Sequence, residues 1–305
     1  MTHRRAVALM IAVTLMWSIA GVVTRQLDAA RSFEVTFWRS LFNAAALVMA
    51  LGAMRGVALW SDICSGGRAL WFSALCWAVM YTNFMVALTL TTVATVLVTM
   101  AIAPLVTALF ARVFLHHRLP ARTWAAIGVA GVGIAWMFGR QAMAGQGSGG
   151  SSMTGALVAL GVPLAAAANW TLLQHLHHRH AADSSVEEPQ MLPAVLLGAL
   201  LSAAVTLPLA LPFSATVHDL SWLALLGVVQ LAIPCLIVVR LSQVLAAPEI
   251  SLLGLLEVIF GVLLAWVGAG ERPSAEALTG GALVLAALVG NEWWALRQRS
   301  AGGLG

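Results

Sequence analysis

The 305-residue sequence contains no lysine, and all 16 of its basic residues are arginine. Charge of either sign is scarce, because only 9% of the residues are charged whereas 61% are hydrophobic. A soluble domain of this length could not bury so much apolar surface, so the composition excludes that class and favours a membrane protein. The formal net charge of +4 comes from arginines spread along the chain, which does not indicate a nucleic-acid-binding surface.

Cysteine is also rare, and the three that occur are Cys64, Cys76 and Cys235. An odd count, with two of them in or near apolar runs, argues against a disulfide framework. The sequence lacks a nucleotide-binding loop, a catalytic nucleophile motif and metalloprotease spacing. Four histidines cluster at 175–180, in what we predict to be a polar loop, without matching carboxylate or thiol partners. We therefore expect no metal site and no cofactor.

Long apolar runs are what the sequence has in abundance. Each is roughly 20 residues long, which is the length that a helix needs to cross the hydrocarbon core of a bilayer. A backbone in that core must satisfy its own hydrogen bonds, which helices do. The runs predict an all-α membrane protein with ten transmembrane helices. The predicted spans are 6–24, 32–54, 70–90, 93–114, 124–138, 155–175, 191–211, 222–241, 250–268 and 275–294.

Matches between the two halves of the chain indicate an internal duplication. Trp17 matches Trp170 at an offset of 153 residues, and the stretch that begins at Ala103 matches the one that begins at Glu257 at an offset of 154. An odd number of helices in each half turns the second half upside down in the membrane. The sequence therefore predicts two inverted five-helix repeats, a common construction of secondary transporters.

The predicted repeats occupy residues 1–138 and 155–305. The segment between them, 139–154, is rich in glycine and serine, which is typical of a flexible linker. If the N-terminus is cytoplasmic, ten arginines lie in cytoplasmic segments and four in outer ones. This asymmetry favours cytoplasmic N- and C-termini. The exclusive use of arginine suggests a GC-rich genome, and we expect a multi-pass protein of a bacterial inner membrane.

The end of each half carries a shared motif. The first half has Ala103-Pro104-Leu105, then His117-Arg118-Leu119 and a glycine-rich span; the second has Glu257-Val258-Ile259, then Gly270-Glu271-Arg272 and Gly280-Gly281. This pattern resembles the drug/metabolite transporter superfamily, in particular its ten-helix EamA-type exporters. In that family, each half ends with a Pro or Glu-Pro helix, a Gly-Glu-Arg turn and a glycine-containing helix.

The resemblance has departures as well as further matches. Val258 replaces the proline that follows the family's glutamate, and His117 replaces the glutamate of the first half. Arg39 resembles the family's second-helix arginine. The length and the tryptophan-rich spans look most like the aromatic amino acid exporter branch. The resemblance implies an exporter of amino acids, aromatic or otherwise neutral or apolar, or of similar small metabolites, that works by alternating access.

Six residues inside the predicted spans are candidates for substrate binding. Glu257 is an ionisable group roughly eight residues into the ninth span, and such a group is costly unless it has a function. Trp17 and Trp170 would be related by the symmetry of the repeats. Trp77 and Tyr81, the only tyrosine, are four residues apart and share a helix face suited to an aromatic substrate. The sixth candidate, Gln230, would offer a polar contact beside Pro234. Packing between helices is the alternative role for each of them.

Two other functions compete with amino acid export. A multidrug antiporter for cationic compounds is the main alternative, but the small four-helix relatives of that kind rely on a first-helix glutamate. The span 6–24 contains no acid, which favours neutral or zwitterionic substrates. A membrane-embedded enzyme is a remote alternative, because converging catalytic side chains are missing apart from Glu257. The expected partners are a small-molecule substrate and the lipid bilayer, without nucleic acid, and we expect a functional monomer.

Overall fold

The computed structural model describes residues 1–30, 32–90, 96, 99–100, 102–115, 120–145, 151–182, 190–269 and 275–302. Within these residues all regular secondary structure is helical, as the sequence predicts. The helices are α1 (His3–Ser18), α2 (Ala20–Val23), α3 (Ser32–Arg55), α4 (Ala58–Cys64), α5 (Arg68–Leu90), α6 (Ala103–Phe114), α7 (Ala121–Gly145), α8 (Ser151–Ala182), α9 (Leu192–Ala210), α10 (Val217–Leu225), α11 (Ile233–Leu241), α12 (Ala247–Gly254), α13 (Leu256–Ala269) and α14 (Ala275–Gly302). A 3₁₀ turn (Thr24–Gln26) follows α2, and a π-helical segment (Leu226–Ala232) joins α10 to α11.

Five helical regions of the described chain are long and apolar enough to cross a membrane. They correspond to the second, third, sixth, seventh and eighth predicted spans. They are Phe33–Arg55, Arg68–Ala87, Thr154–Ala181, Leu192–Ala210 and Val217–Leu241. Two shorter apolar helices, Ala103–Phe114 and Leu278–Asn291, lie within the fourth and tenth predicted spans. The chain is therefore a multi-pass, all-α membrane protein.

Several predicted spans have a local interruption of the regular α-helical pattern. Ile19 separates α1 from α2, Ile102 lies immediately before α6, and Leu255 separates α12 from α13. Ile102 and Leu255 are 153 residues apart, which is also the offset between Trp17 and Trp170. All three residues keep right-handed helical dihedral angles, so each interruption is a single distorted turn and not a gap in the helix.

Helices of one half pack mainly against helices of the other half. The second span packs on the seventh (α3 on α9), and the fifth packs on the tenth (α7 on α14). Helix α5 packs against α8 and α9. In the eighth span, the π segment packs against α3 and α11 packs against α1. Helix α6 packs on α8, and α13 packs on α1. The contacts are therefore reciprocal: where a helix of the first half packs on one of the second half, the equivalent helices pack in the same way with the two halves interchanged.

Two glycines bring backbones of opposite halves into close contact. A Cβ atom at Gly227, in the π segment, would lie 2.8 Å from the backbone oxygen of Arg39. A Cβ atom at Gly198, in α9, would lie 3.0 Å from the carbonyl oxygen of Ala74 and would also overlap Trp77. Only glycine permits such an approach, so these two positions set how closely the helices that carry Arg39 and Trp77 pack against the other half.

Two predicted connections are partly helical in the structure. The 175–180 histidine cluster lies in the last turns of α8, which ends at Ala182, so our prediction of a polar loop there was wrong. Helix α7 runs to Gly145 and α8 begins at Ser151, so helix also covers both ends of the 139–154 segment. Leucine, alanine, methionine and glutamine in these stretches favour helix despite the polar or glycine-rich surroundings.

Candidate functional site

A cavity of about 160 Å³ lies between helices of both halves. All six predicted site residues line it: Trp17, Trp77, Tyr81, Trp170, Gln230 and Glu257. The wall also includes residues at the interruptions of the fourth and ninth spans, such as Ala103 and Leu255. The structure therefore brings together residues from seven of the predicted spans. Their role in substrate binding stays a prediction.

Aromatic rings from the two halves meet at the cavity. Trp77 packs edge to face against Trp170, with ring centroids 5.5 Å apart and an interplanar angle of 83°. Trp77 also contacts Tyr81 at a centroid distance of 5.6 Å, so the four-residue spacing places both rings on one face as predicted. Both pairs lie in the distance range in which aromatic rings attract one another. The cluster gives the cavity a rigid wall suited to a flat apolar group.

Gln230 lies in the π segment, where the helix is widened by one residue per turn. Segments of this kind often occur at functional sites because they turn side chains out of the regular register. Its Nε2 donates to the backbone oxygen of Trp17 at 3.4 Å, whereas its Oε1 is buried without a hydrogen-bond partner. Trp77 Nε1 is likewise buried without an acceptor. Each is a polar group that a bound substrate or water can satisfy.

Glu257 is the second residue of α13, two residues after the distorted turn at Leu255. The side chain is partly exposed to the cavity. In the first half, Ala103 takes the corresponding place at the start of α6 and carries no charge. The cavity is therefore asymmetric, with an acid on one side only.

Arg39 also lines the cavity, and it was not among the candidate residues predicted from the sequence. Its side chain is only 1% exposed. Nη2 donates to the backbone oxygen of Tyr81 at 2.9 Å, whereas Nε has no hydrogen-bond partner. In the part of the chain that the structure describes, no carboxylate lies within 4.0 Å of the guanidinium. The signal that could have identified it is a lone arginine in the middle of an apolar span.

The size of the cavity limits what it holds in this conformation. Engineered apolar cavities of about 150 Å³ bind a benzene molecule, whereas sites for drug-sized ligands occupy about 300–1,000 Å³. At about 160 Å³, the cavity accommodates one aromatic ring or an aliphatic side chain. It does not accommodate a polycyclic drug without widening.

Two other features of the structure lie away from this cavity. A second cavity, of about 420 Å³, is lined by Arg55, Gln190, Arg240 and neighbouring residues, and it contains none of the predicted site residues. Among the described residues, Asp28, His218 and Asp219 form the one group with metal-ligand spacing. Both Asp219 carboxylate oxygens already accept backbone N–H groups, which gives this residue a structural role.

Residues 4–139 match the model of the EamA-like transporter family. This match is consistent with the drug/metabolite transporter superfamily and with a membrane transporter of small solutes. The motif residues at 117–119 and 270–272 lie outside the described residues.

Comparison with solved structures gives the same architecture for the whole chain. One crystal structure, 19% identical in sequence, aligns with 97% of this chain and 99% of its own chain at a TM-score of 0.75. At that identity, the likeness shows the fold alone. The search of curated proteins found no match.

Proposed function

We propose that this protein exports amino acids, aromatic or otherwise neutral and apolar, or similar small metabolites. The observation that supports this most is the cavity between the halves, which has room for about one aromatic ring and is walled by Trp17, Trp77, Tyr81 and Trp170. Burial of an aromatic or aliphatic side chain against these rings supplies affinity without demanding a particular hydrogen-bond pattern. The polar groups at the same cavity, Gln230 among them, would receive the backbone end of an amino acid.

Alternating access would come from two inverted five-helix repeats, residues 1–138 and 155–305, joined by the 139–154 linker. The reciprocal packing of helices and the matched interruptions at Ile102 and Leu255 support this duplication. In such transporters the substrate lies at the interface of the repeats, and rocking of one against the other opens the site to each side in turn. The cavity lies at that interface.

The proposed orientation has both termini in the cytoplasm of a bacterial cell, with the protein in the inner membrane. The arginine asymmetry supports this orientation, since the more basic segments of a membrane protein stay on the cytoplasmic side. We propose a functional monomer, because a single chain supplies the whole wall of the cavity.

A multidrug antiporter for cationic compounds is the second candidate, and Glu257 is the observation that favours it. An acid in a membrane cavity can attract a cation. Arg39 lines the same cavity, however, and its charge opposes binding of a cation there. An embedded enzyme has less support, because no histidine lines the cavity in the part of the chain that the structure describes.

The proposal is tested by counterflow in liposomes that contain the purified protein. The vesicles are loaded with unlabelled phenylalanine, leucine, threonine or a cationic dye, and uptake of the labelled compound is measured against protein-free vesicles. We expect exchange of phenylalanine and leucine. Exchange of the cationic dye without exchange of any amino acid would overturn the proposal in favour of the antiporter.

A further inference from the structure

We infer that Arg39 is the residue that binds the carboxylate group of the transported amino acid. This inference rests on the proposed function and assigns a chemical role within the same cavity. An arginine in a membrane helix is costly unless hydrogen bonds or an ion pair compensate its charge. Here the side chain is 1% exposed, and the described residues place no carboxylate within 4.0 Å of it.

The hydrogen-bond donors of Arg39 are only partly used. The guanidinium is a planar fork with five N–H donors, and it binds a carboxylate through two parallel hydrogen bonds. The structure commits Nη2 to the backbone oxygen of Tyr81 and leaves Nε without a partner. A buried donor without an acceptor is unfavourable, so the site is incomplete until an anion or another acceptor binds.

The position of Arg39 is fixed from two sides. The hydrogen bond to Tyr81 holds the end of the side chain. The close approach of Gly227 holds the backbone, since the backbone oxygen of Arg39 leaves no room for a Cβ atom at residue 227. A guanidinium held in this way loses little further freedom when it binds a ligand, which increases the affinity that each hydrogen bond contributes.

The charges around the cavity favour a zwitterion over a simple acid or amine. Arg39 and Glu257 line the same cavity and sum to no net charge when both are ionised. Glu257 would repel a ligand that carries only a carboxylate, and Arg39 would repel a ligand that carries only an ammonium group. An α-amino acid carries both groups, and its side chain then faces Trp77 and Trp170.

A structural role is the competing explanation, in which Arg39 serves only to tie α3 to α5 through the Tyr81 carbonyl. That role would affect every ligand equally. A carboxylate-binding role affects only ligands that carry a carboxylate. Phenylalanine, its amide and 3-phenylpropionate share the same ring and differ in their charged groups, so they separate the two explanations.

The experiment measures inhibition of labelled phenylalanine counterflow by these three compounds in wild type, Arg39→Gln and Arg39→Lys. For Arg39→Gln we expect the inhibition constants of phenylalanine and 3-phenylpropionate to rise about tenfold or more, since hydrogen bonds to charged groups contribute about 1.5–3 kcal/mol. Phenylalanine amide should change by less than about threefold or bind more tightly. If residual transport is too low to measure, binding to the detergent-purified variants replaces counterflow.

Arg39→Lys retains the charge but loses the fork, so its loss should be intermediate and again confined to ligands with a carboxylate. Arg112→Gln, at an exposed arginine of α6, is the matched control and should match wild type. Equal loss for the amide and the acids in Arg39→Gln would overturn the inference. So would inhibition of the wild type by added sodium chloride at matched osmolarity, because the site would then be one for inorganic anions.

The same measurements separate this inference from the proposed function. If the wild type binds no amino acid but binds 3-phenylpropionate, and Arg39→Gln abolishes that binding, the amino acid proposal fails and the carboxylate site stands. If the wild type exchanges phenylalanine and Arg39→Gln does so with unchanged inhibition constants, the proposed function stands and the role of Arg39 is wrong.

Discussion

Glu34 and Asp219 each extend a carboxylate to backbone amides of the opposite half of the chain. Glu34, in α3, accepts from the amides of Ser214 at 2.9 Å and Ala215 at 2.8 Å. Asp219, in α10, accepts from the amides of Asp28 at 2.7 Å and Ala29 at 3.2 Å. Both acidic side chains are fully buried. These reciprocal hydrogen bonds link the two halves at what we propose to be the outer end of the helix bundle.

Loss of one of these carboxylates should destabilise the protein. Asp219→Ala leaves the amides of Asp28 and Ala29 without their acceptor, and hydrogen bonds to a charged group contribute about 1.5–3 kcal/mol each. We expect a clear decrease in the midpoint of thermal unfolding in detergent. Asp28→Ala is the control, because it keeps the backbone amide and removes only an exposed pair with His218, which contributes at most about 1 kcal/mol. An equal decrease in both variants would contradict the role assigned to Asp219.

The close approach at Gly227 makes a second prediction about stability. Gly227→Ala places a methyl group where the Arg39 backbone oxygen would be 2.8 Å away, so α3 must shift. Overpacking of this kind costs about 1–3 kcal/mol. Gly52→Ala, in the same helix as Arg39, meets nothing within 4 Å and should be neutral or stabilising. Comparison of the two unfolding midpoints checks the prediction, and a neutral effect of Gly227→Ala would contradict it.

The sequence predicted the helical class because apolar runs of membrane length leave the backbone few alternatives. It also placed Trp77 and Tyr81 on one face, because a spacing of four residues is a local property of any helix. It missed Arg39 as a site residue for a different reason. In a membrane helix the lipid-facing and inward-facing sides are both apolar, so hydrophobic periodicity does not show which residues face a cavity.

The interruptions of the helices were also not apparent in the sequence. Ile19, Ile102 and Leu255 are not residues that usually end a helix. Gly254 precedes Leu255 and Pro104 lies two residues after Ile102, but proline and glycine occur elsewhere inside continuous helices, as Pro163 does in α8. The π segment carries no local signature that distinguishes it from regular helix.

The aromatic wall should be essential for transport and less so for folding. Trp17→Ala and Trp170→Ala remove rings that line the cavity, and each ring offers about 150–250 Å² of contact surface. We expect about tenfold or greater loss of phenylalanine counterflow at equal protein level. Trp71→Ala, at a half-exposed tryptophan of α5 that does not line the cavity, should retain transport. Wild-type transport in both cavity variants would refute the aromatic site.

The proposed orientation is tested by cysteine accessibility in intact cells. In a background without Cys64, Cys76 and Cys235, a cysteine replaces either His180, at the proposed cytoplasmic end of α8, or Val217, at the proposed outer end of α10. An impermeant maleimide added outside should label Val217→Cys, whose native side chain is 85% exposed, and leave His180→Cys unlabelled until the cells are opened. The reverse pattern would place both termini outside the cytoplasm.

Glu257 should contribute to substrate contact without acting as an obligatory proton carrier. It lines the cavity, but the first-half counterpart is Ala103, and none of the described histidines or aspartates lines the cavity beside it to pass a proton on. Glu257→Gln keeps the shape and hydrogen-bonding capacity of the side chain and removes its titration. We therefore expect Glu257→Gln to retain downhill exchange of phenylalanine with a pH dependence close to that of the wild type.

The decisive measurement for Glu257 imposes a proton gradient on liposomes and compares concentrative uptake with downhill exchange. If Glu257 is a substrate contact, its loss raises the substrate concentration at which exchange is half-maximal. Concentrative uptake driven by the gradient then falls by the same factor as downhill exchange. A coupling group, when removed, abolishes the response to the gradient and leaves exchange intact, because exchange needs no net proton movement. If the wild type responds to the gradient and Glu257→Gln still exchanges phenylalanine but no longer responds, Glu257 is the coupling group and the prediction is wrong.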